Sequence, residues 1–406
     1  MSRFPSSPGD ATAPAREAGN AHGLVLMAAA VMPIMAISSL IPVLPLLLRE
    51  FAGVPGSAAL VPVALTVPAL CVALFSPIAG WLSDRIGRKR LLVSSLVIYA
   101  ACGFAPWFLE SLTAIIATRV ALGIVEAAIM TLTTALIGDY FVGEQRERWI
   151  AFQVAAASIA ATVLLALGGA LGETLGSRGP FLLYLSALGI ALAAAIVLHE
   201  PERGSPAEDA TSAGADLLAR VLPLALITFG VGIVFYTILV QIGPILEISM
   251  EVSPAQVGLA GAAVNMGVVV GAAVFKRLNH LAGPPLLSVG LIVAALGYAG
   301  VALFEGFVAI TAFAALASLG SGLMLPNLLG WTMRRLPQEV RGRGMGVWTG
   351  AFFLGQFVAP VATGALAPAL GGLLSVIAAM AGLIGLGALV SALFARLAKP
   401  QSKQHV

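Results

Sequence analysis

Charge is scarce in this chain. Only 10% of its 406 residues are Asp, Glu, Lys or Arg, against about 25% in soluble domains. With 59% hydrophobic residues and a mean hydropathy of +0.99, a water-facing surface of ordinary extent cannot be assembled. That excludes a soluble globular domain and leaves a helical membrane protein. Cysteine is almost missing. Cys71 and Cys102 both lie inside apolar runs, which excludes a disulfide framework and leaves them as small packing residues. The four histidines, His22, His199, His280 and His405, fall in loops or tails without metal-ligand spacing. No P-loop and no nucleophile motif is present, so the expectation is no cofactor, no metal and no enzymatic activity. Net charge is +3. The basic residues sit in short loops beside apolar spans, which speaks for membrane orientation and against a nucleic-acid partner.

What the chain does have is long apolar runs. A helix needs about 20 apolar residues to cross the hydrocarbon core. Twelve spans are read on that rule, at about 24–48, 57–79, 90–109, 112–137, 149–172, 180–198, 218–243, 255–275, 284–304, 307–330, 343–368 and 371–396. Gly and Ala are frequent inside them, as in Ala155-Ala156-Ala157 and Gly168-Gly169, and such faces let helices approach closely. The first apolar run is long enough to span and lacks a cleavage-type ending, so no cleavable signal is expected. The one long polar interval divides the spans six and six. The expected organisation is a cytoplasmic tail over 1–21, a six-helix bundle over 22–198, a linker over 199–217, a second bundle over 218–397 and a tail over 398–406.

Placing the N-terminus in the cytoplasm puts 19 of the 22 Lys and Arg residues on that side. Arg49 and Arg178 lie outside and Arg119 lies within a span. By the positive-inside rule both termini are expected in the cytoplasm, and the expected location is a bacterial inner (plasma) membrane. The halves also echo each other. Glu144-x-Arg146-x-Arg148 follows the fourth span and Glu339-x-Arg341-x-Arg343 the tenth, 195 residues on. A weaker echo of the loop at Gly80–Arg90 lies at Val274–Asn279. Two six-helix repeats with matching loops are a transporter architecture, and one chain holding both halves is expected to work as a monomer.

The densest polar knot of the first half is Gly80-Trp81-Leu82-Ser83-Asp84-Arg85-Ile86-Gly87-Arg88-Lys89-Arg90. It resembles the G-x-L-x-D-R-x-G-R-K-R loop of the major facilitator superfamily. Ile41-Pro42-Val43-Leu44-Pro45 and Arg119-x-x-x-Gly123 resemble motifs of that family's drug:proton antiporter branch. Span five keeps the glycine pair Gly168-Gly169 of that branch but lacks its preceding Gly-Pro step. The resemblance implies an all-α fold of two six-helix bundles and transport by alternating access. It also implies that Gly80, Asp84, Arg85, Gly87, Arg88 and Arg90 form a conformational latch at the cytoplasmic side. Asp139 and Glu144 are natural partners for that loop's arginines.

Of nineteen acidic residues only Glu126 falls well inside a span, and among bases only Arg119. Each costs about 2.5–3.5 kcal/mol at a helix centre. Seven residues apart, they lie on nearly one face, so both are expected to line a shared wet cavity, Glu126 exchanging the proton and Arg119 tuning it or holding an anion. The resemblance places the cavity along the first, fourth, seventh and tenth helices, which selects Gln241 and Asn327 as cavity polar groups and Tyr236 as its aromatic wall. Asn265 and Gln356 read instead as hydrogen bonds between helices. The leading expectation is a proton-coupled exporter of small, amphiphilic molecules. The alternative is a proton-coupled uptake permease for a small organic acid or sugar, kept open by Arg119 and the missing Gly-Pro step.

Overall fold

The computed structural model describes residues 19–201, 214–336 and 341–397, and within these the side chains of Asp84, Val154, 214–220, 341–343 and Leu397 are not part of the description. Backbone polar groups in hydrocarbon must be satisfied within the segment, and the described residues answer with helices. They are α1 (Asn20–Ser38), α2 (Leu44–Glu50), α3 (Ser57–Ile86), α4 (Arg88–Phe104), α5 (Leu112–Tyr140), α6 (Gly143–Leu175) and α7 (Ser186–Val197). The second half holds α8 (Gly214–Ser249), which begins inside the interval 199–217 read as linker, then α9 (Pro254–Leu278), α10 (Pro284–Leu303), α11 (Phe307–Arg335), α12 (Arg341–Leu370) and α13 (Leu373–Leu397).

Eleven stretches among the described residues are long and apolar enough to cross a membrane. One of them, the 55-residue stretch Gly143–Val197, holds two crossings. Its α6 runs out, and a 3-10 segment at Gly176–Leu185 with α7 runs back against α4 and α1. That yields the twelve-helix architecture expected from the sequence. Span one is not a single helix, however. It breaks after Ser38, passes through a 3-10 turn at Ile41–Val43 and resumes as α2. Pro42 and Pro45 remove two donors there, which is why the α-helical ladder cannot run through.

In the first half α5 packs on α3 and α4, and α1 on α6 and α5; in the second, α11 packs on α10 and α9, and α8 on α12. Two long helix pairs make most of the contact between the halves, α6 with α9 and α3 with α12. At the first, Gly169 and Gly258 meet so closely that a Cβ on either would lie 3.0 Å from the other's Cα. Asn265 Nδ2 ties the same pair by donating to Thr162 Oγ1 at 2.9 Å and Ser158 O at 3.2 Å. The second pair runs antiparallel, with Gly350 beside Ala73 and Gly364 beside Ala58.

The face bearing Gly80–Arg90 is called the basic face. On the opposite face the halves are sealed. The Ile41–Val43 turn lies on α8 and α9, Arg49 pairs with Glu247, and Glu173 accepts from Ala255 N at 3.4 Å. Arg49 is 63% exposed, so this ion pair contributes at most about 1 kcal/mol; close backbone packing does the rest.

A membrane-embedded carboxylate between the two halves

The site is built on α5. Gly123 lies against α3, where an added Cβ would come 2.5 Å from Pro68 Cα and 2.8 Å from Cys71 Cβ. The missing side chain lets α5 press on α3 and sets the height of Arg119 one turn before it and Glu126 one turn after. Gly123→Val should force the helices apart, at about 1–3 kcal/mol for overpacking. The expected readout is a lowered thermal midpoint of the detergent-solubilised protein together with loss of transport.

Glu126 is 4% exposed, and its Oε2 has no hydrogen-bond partner. It lies within electrostatic reach of Cys71 on α3, Tyr99 on α4, and Tyr184. Its electrostatic influence extends to Tyr236 on α8, across the division between the halves. Tyr236 is the start of an aromatic wall. Its ring meets Phe235 at 4.6 Å and Phe352 at 5.4 Å, and Phe352 stacks on Trp348 at 6.3 Å with planes 7° apart. Trp348, Phe352 and Gln356 are spaced four residues apart and so share one face of α12. Trp348 Nε1 and Gln356 Oε1 are buried without partners. Sequence reading missed Trp348 and Phe352, although their i, i+4 spacing with Gln356 was available as a signal.

Arg119 is placed differently from the shared cavity that the sequence suggested. It is fully buried at 0% exposure. Nη1 donates to Tyr184 Oη at 3.0 Å, and Nη2 donates to Gly103 O at 3.0 Å and Cys102 O at 3.1 Å. The cause lies in α4. Pro106 has no N–H, so Cys102 O has no donor four residues on, and a guanidinium supplies one. The charge is further covered by the Tyr184 ring at 4.9 Å and the Phe181 ring at 5.3 Å, a favourable cation–π arrangement.

This architecture is shared with known proteins. The sequence profile of the Major Facilitator Superfamily matches residues 26–250 and 224–406. The chain belongs to the Major Facilitator Superfamily. It is 25% identical over 345 residues to the class E tetracycline resistance protein of Escherichia coli, covering 80% of this chain and 83% of that one. It is 35% identical over 115 residues to the bacillibactin exporter of Bacillus subtilis, 27% of this chain and 28% of that one. The fold matches a bacterial homolog of the human lysosomal transporter Spinster, solved inward-facing and occupied. That match has a TM-score of 0.73 at 17% identity, over 94% of this chain and 97% of that one.

Two of this transporter's expected cavity groups are engaged elsewhere. Gln241 Nε2 donates to Thr363 Oγ1 at 2.7 Å, tying α8 to α12. Asn327 clamps the backbone of Gly283 at the head of α10, accepting from its N–H at 2.7 Å and donating to its carbonyl at 2.9 Å.

The signature loop is organised within the first half. Arg88 pairs with Asp139 on α5, and Arg146 donates to Gly138 O at 2.6 Å and Phe141 O at 3.1 Å. Arg85 lies 3.9 Å over the Trp81 ring. Arg90 is exposed, and Glu144 is exposed in the first turn of α6, where the helix dipole favours an acid. Gly80 O accepts from Ser83 Oγ at 2.6 Å. The side chains of the latch residue Asp84 and of Arg341 and Arg343 in the second-half echo lie outside the described residues, as does the whole of Glu339.

One residue of this region escaped sequence reading. Glu200, at the end of the sixth span, reaches back to the N-terminus of α4, where it accepts from Arg88 N and, at 3.2 Å, from Lys89 N. Gly87 has no side chain to cap that helix, and the distant carboxylate substitutes. The His199 ring beside it lies tilted against Tyr140 at 4.7 Å and meets His22 edge-on at 5.2 Å. Gly87 itself has φ +103°, and a Cβ there would lie 2.9 Å from the Glu200 carboxylate. Gly87→Ala should therefore cost about 1–3 kcal/mol for backbone strain and also displace Glu200. A reduced melting temperature and faster proteolysis at the linker would register both.

Proposed function

We propose that this transporter is a proton-coupled exporter of small amphiphilic molecules with aromatic surface. The observation that carries the reading is Glu126. A carboxylate at bilayer depth whose Oε2 is buried without a hydrogen-bond partner, and whose electrostatic influence extends to the second half, suits a group that exchanges a proton for substrate. Alternating access rocks the halves around such a midplane site. A proton biases that switch only by binding the two states unequally, and in this reading Glu126 supplies the inequality because its buried surroundings change as the halves move. The relatives' names, tetracycline resistance and bacillibactin export, support export as the direction.

For the organic-acid form of the uptake alternative Arg119 was the candidate anion ligand, and its guanidinium instead engages Tyr184 and α4 through Nη1 and Nη2; uptake of a sugar is left to the transport test. In the proposed setting the basic face is cytoplasmic and the membrane is a bacterial inner membrane. The single chain is the working unit, with halves bounded as 22–198 and 218–397. Gly80, Asp84, Arg85, Gly87, Arg88 and Arg90, with Asp139 and Glu144, serve as the basic-face latch when the halves close on that side. The seal on the opposite face supports reading this structure as open or opening toward the basic face.

The test is transport in proteoliposomes of defined orientation, with an imposed pH gradient and a fluorescent aromatic cation such as ethidium as probe. Substrate should move against the proton flux. Co-directional movement would establish the permease reading instead.

A further inference from the structure

The break in span one is pegged by a chain of side chains that begins at α5. In an α-helix Leu40 N would donate to Ala36 O. Here Ser39 N donates to Met35 O and Leu40 N to Ile37 O, so Ala36 O loses its helical donor. Tyr184 Oη fills that vacancy, donating to Ala36 O at 3.0 Å while it accepts from Arg119 Nη1 at 3.0 Å. Tyr184 and Arg119 are both fully buried, so water cannot replace either bond. Beyond the break, Ser39 lies against Gly168, where an added Cβ would come 2.9 Å from its carbonyl carbon. Pro45 faces Gly243 of the second half, whose added Cβ would lie 2.8 Å from the proline ring. The segment then ends at Arg49, paired with Glu247.

We infer that Tyr184 is a positioning residue for alternating access. Its hydroxyl pegs the span-one break to Arg119 and thereby places the segment 39–50 that seals the opposite face. The inference rests on the alternating-access reading above, and it gives Arg119 a role in placing a gate as well as in bracing α4.

Two features make the peg specific to the break. The equivalent helix of the second half, α8, runs unbroken over Gly214–Ser249. Both halves do share a tyrosine bond to the first helix of the bundle, Tyr99 to Met32 O and Tyr298 to Val234 O. Those bonds meet the helix before any break, so they fasten it without setting the angle of the segment beyond. Tyr184 acts at the first carbonyl that the break releases.

The experiment measures the opposite face directly. Spin labels are placed at Ala52→Cys and Ile248→Cys, both exposed positions flanking the seal, in full-length protein carrying Cys71→Ala and Cys102→Ala. Electron–electron distance distributions then report the closed and open populations of that face. Tyr184→Phe should shift their ratio toward open by about three- to tenfold, the factor that one net hydrogen bond carries, and lower turnover while KM stays within about twofold. Arg119→Lys, which cannot reach all three acceptors, should shift it the same way. It carries the test should Tyr184→Phe not fold. Tyr99→Phe, which removes an equally buried bond before the break, should leave the ratio unchanged. An unchanged ratio in the Tyr184 or Arg119 variant, or an equal shift in Tyr99→Phe, overturns the inference. Wild-type vesicles that move no substrate while the ratio still responds would sink the transport reading and leave the peg standing.

Discussion

Glu126→Gln should reduce gradient-driven transport to the level of empty vesicles while the protein folds as well as wild type or better. The substitution is isosteric, so the packing around the side chain is kept. It removes an ionisable group that costs about 2.5–3.5 kcal/mol when charged at a helix centre. Glu126 forms no hydrogen bond through Oε2 that the amide would forfeit. Stability and function should therefore separate: the thermal midpoint in detergent holds or rises, substrate binding persists, and coupling to the proton gradient is lost. Counterflow exchange of substrate, which needs no net proton movement, should survive in the variant. A Glu126→Gln transporter that still accumulates substrate against a gradient would remove this carboxylate from the mechanism.

Arg119→Ala should do the reverse and act on stability first. Two α4 carbonyls lose a donor, at about 1–3 kcal/mol each. Truncating a fully buried side chain adds a cavity term on the order of 3 kcal/mol. Relief of the buried charge returns about 2.5–3.5 kcal/mol. The net expectation is destabilisation by roughly 3 kcal/mol, visible as low yield and a depressed melting point before any transport is measured. A variant that melts like wild type and fails only in coupling would show that the guanidinium acts as a charge in the proton step and not as a brace. The two residues lie two turns apart on one helix, and these opposite signatures tell their roles apart.

The Gly80–Arg90 loop illustrates how far sequence reading reached. Its identity was legible because charge in an otherwise apolar chain is costly and stands out, and because the residue spacing matches a whole motif. Its local partners Arg88 and Asp139 were nameable for the same reason, since each end of a helix in that loop must satisfy its charge nearby. Glu200 was not legible. Its meeting with the head of α4 joins residues 112 apart in sequence, and nothing in the local pattern marks a carboxylate as a remote cap. Trp348 and Phe352 fell between these cases. Their spacing was visible, but aromatic residues at helical intervals occur on lipid-facing and cavity-facing sides alike.

Composition, span length and the placement of lysine and arginine were enough to establish an all-helical, twelve-crossing membrane protein of two repeated halves. That information is one-dimensional by nature: hydrocarbon demands internally bonded helices of a minimum length, and charges must sit where water is. The same scarcity of charge singled out Arg119 and Glu126. Which of them faces the division between the halves was decided only by the tertiary structure. Pro106 left a carbonyl on α4 that drew Arg119 into the interior of the first bundle, Gly123 set the helix against α3, and Glu126, one turn beyond Gly123, was left buried with no partner for Oε2. Gln241 and Asn327 were likewise claimed by acceptors and donors on neighbouring elements. Residue type states what a side chain is able to do, whereas its nearest unsatisfied partner, supplied by another helix, determines what it does.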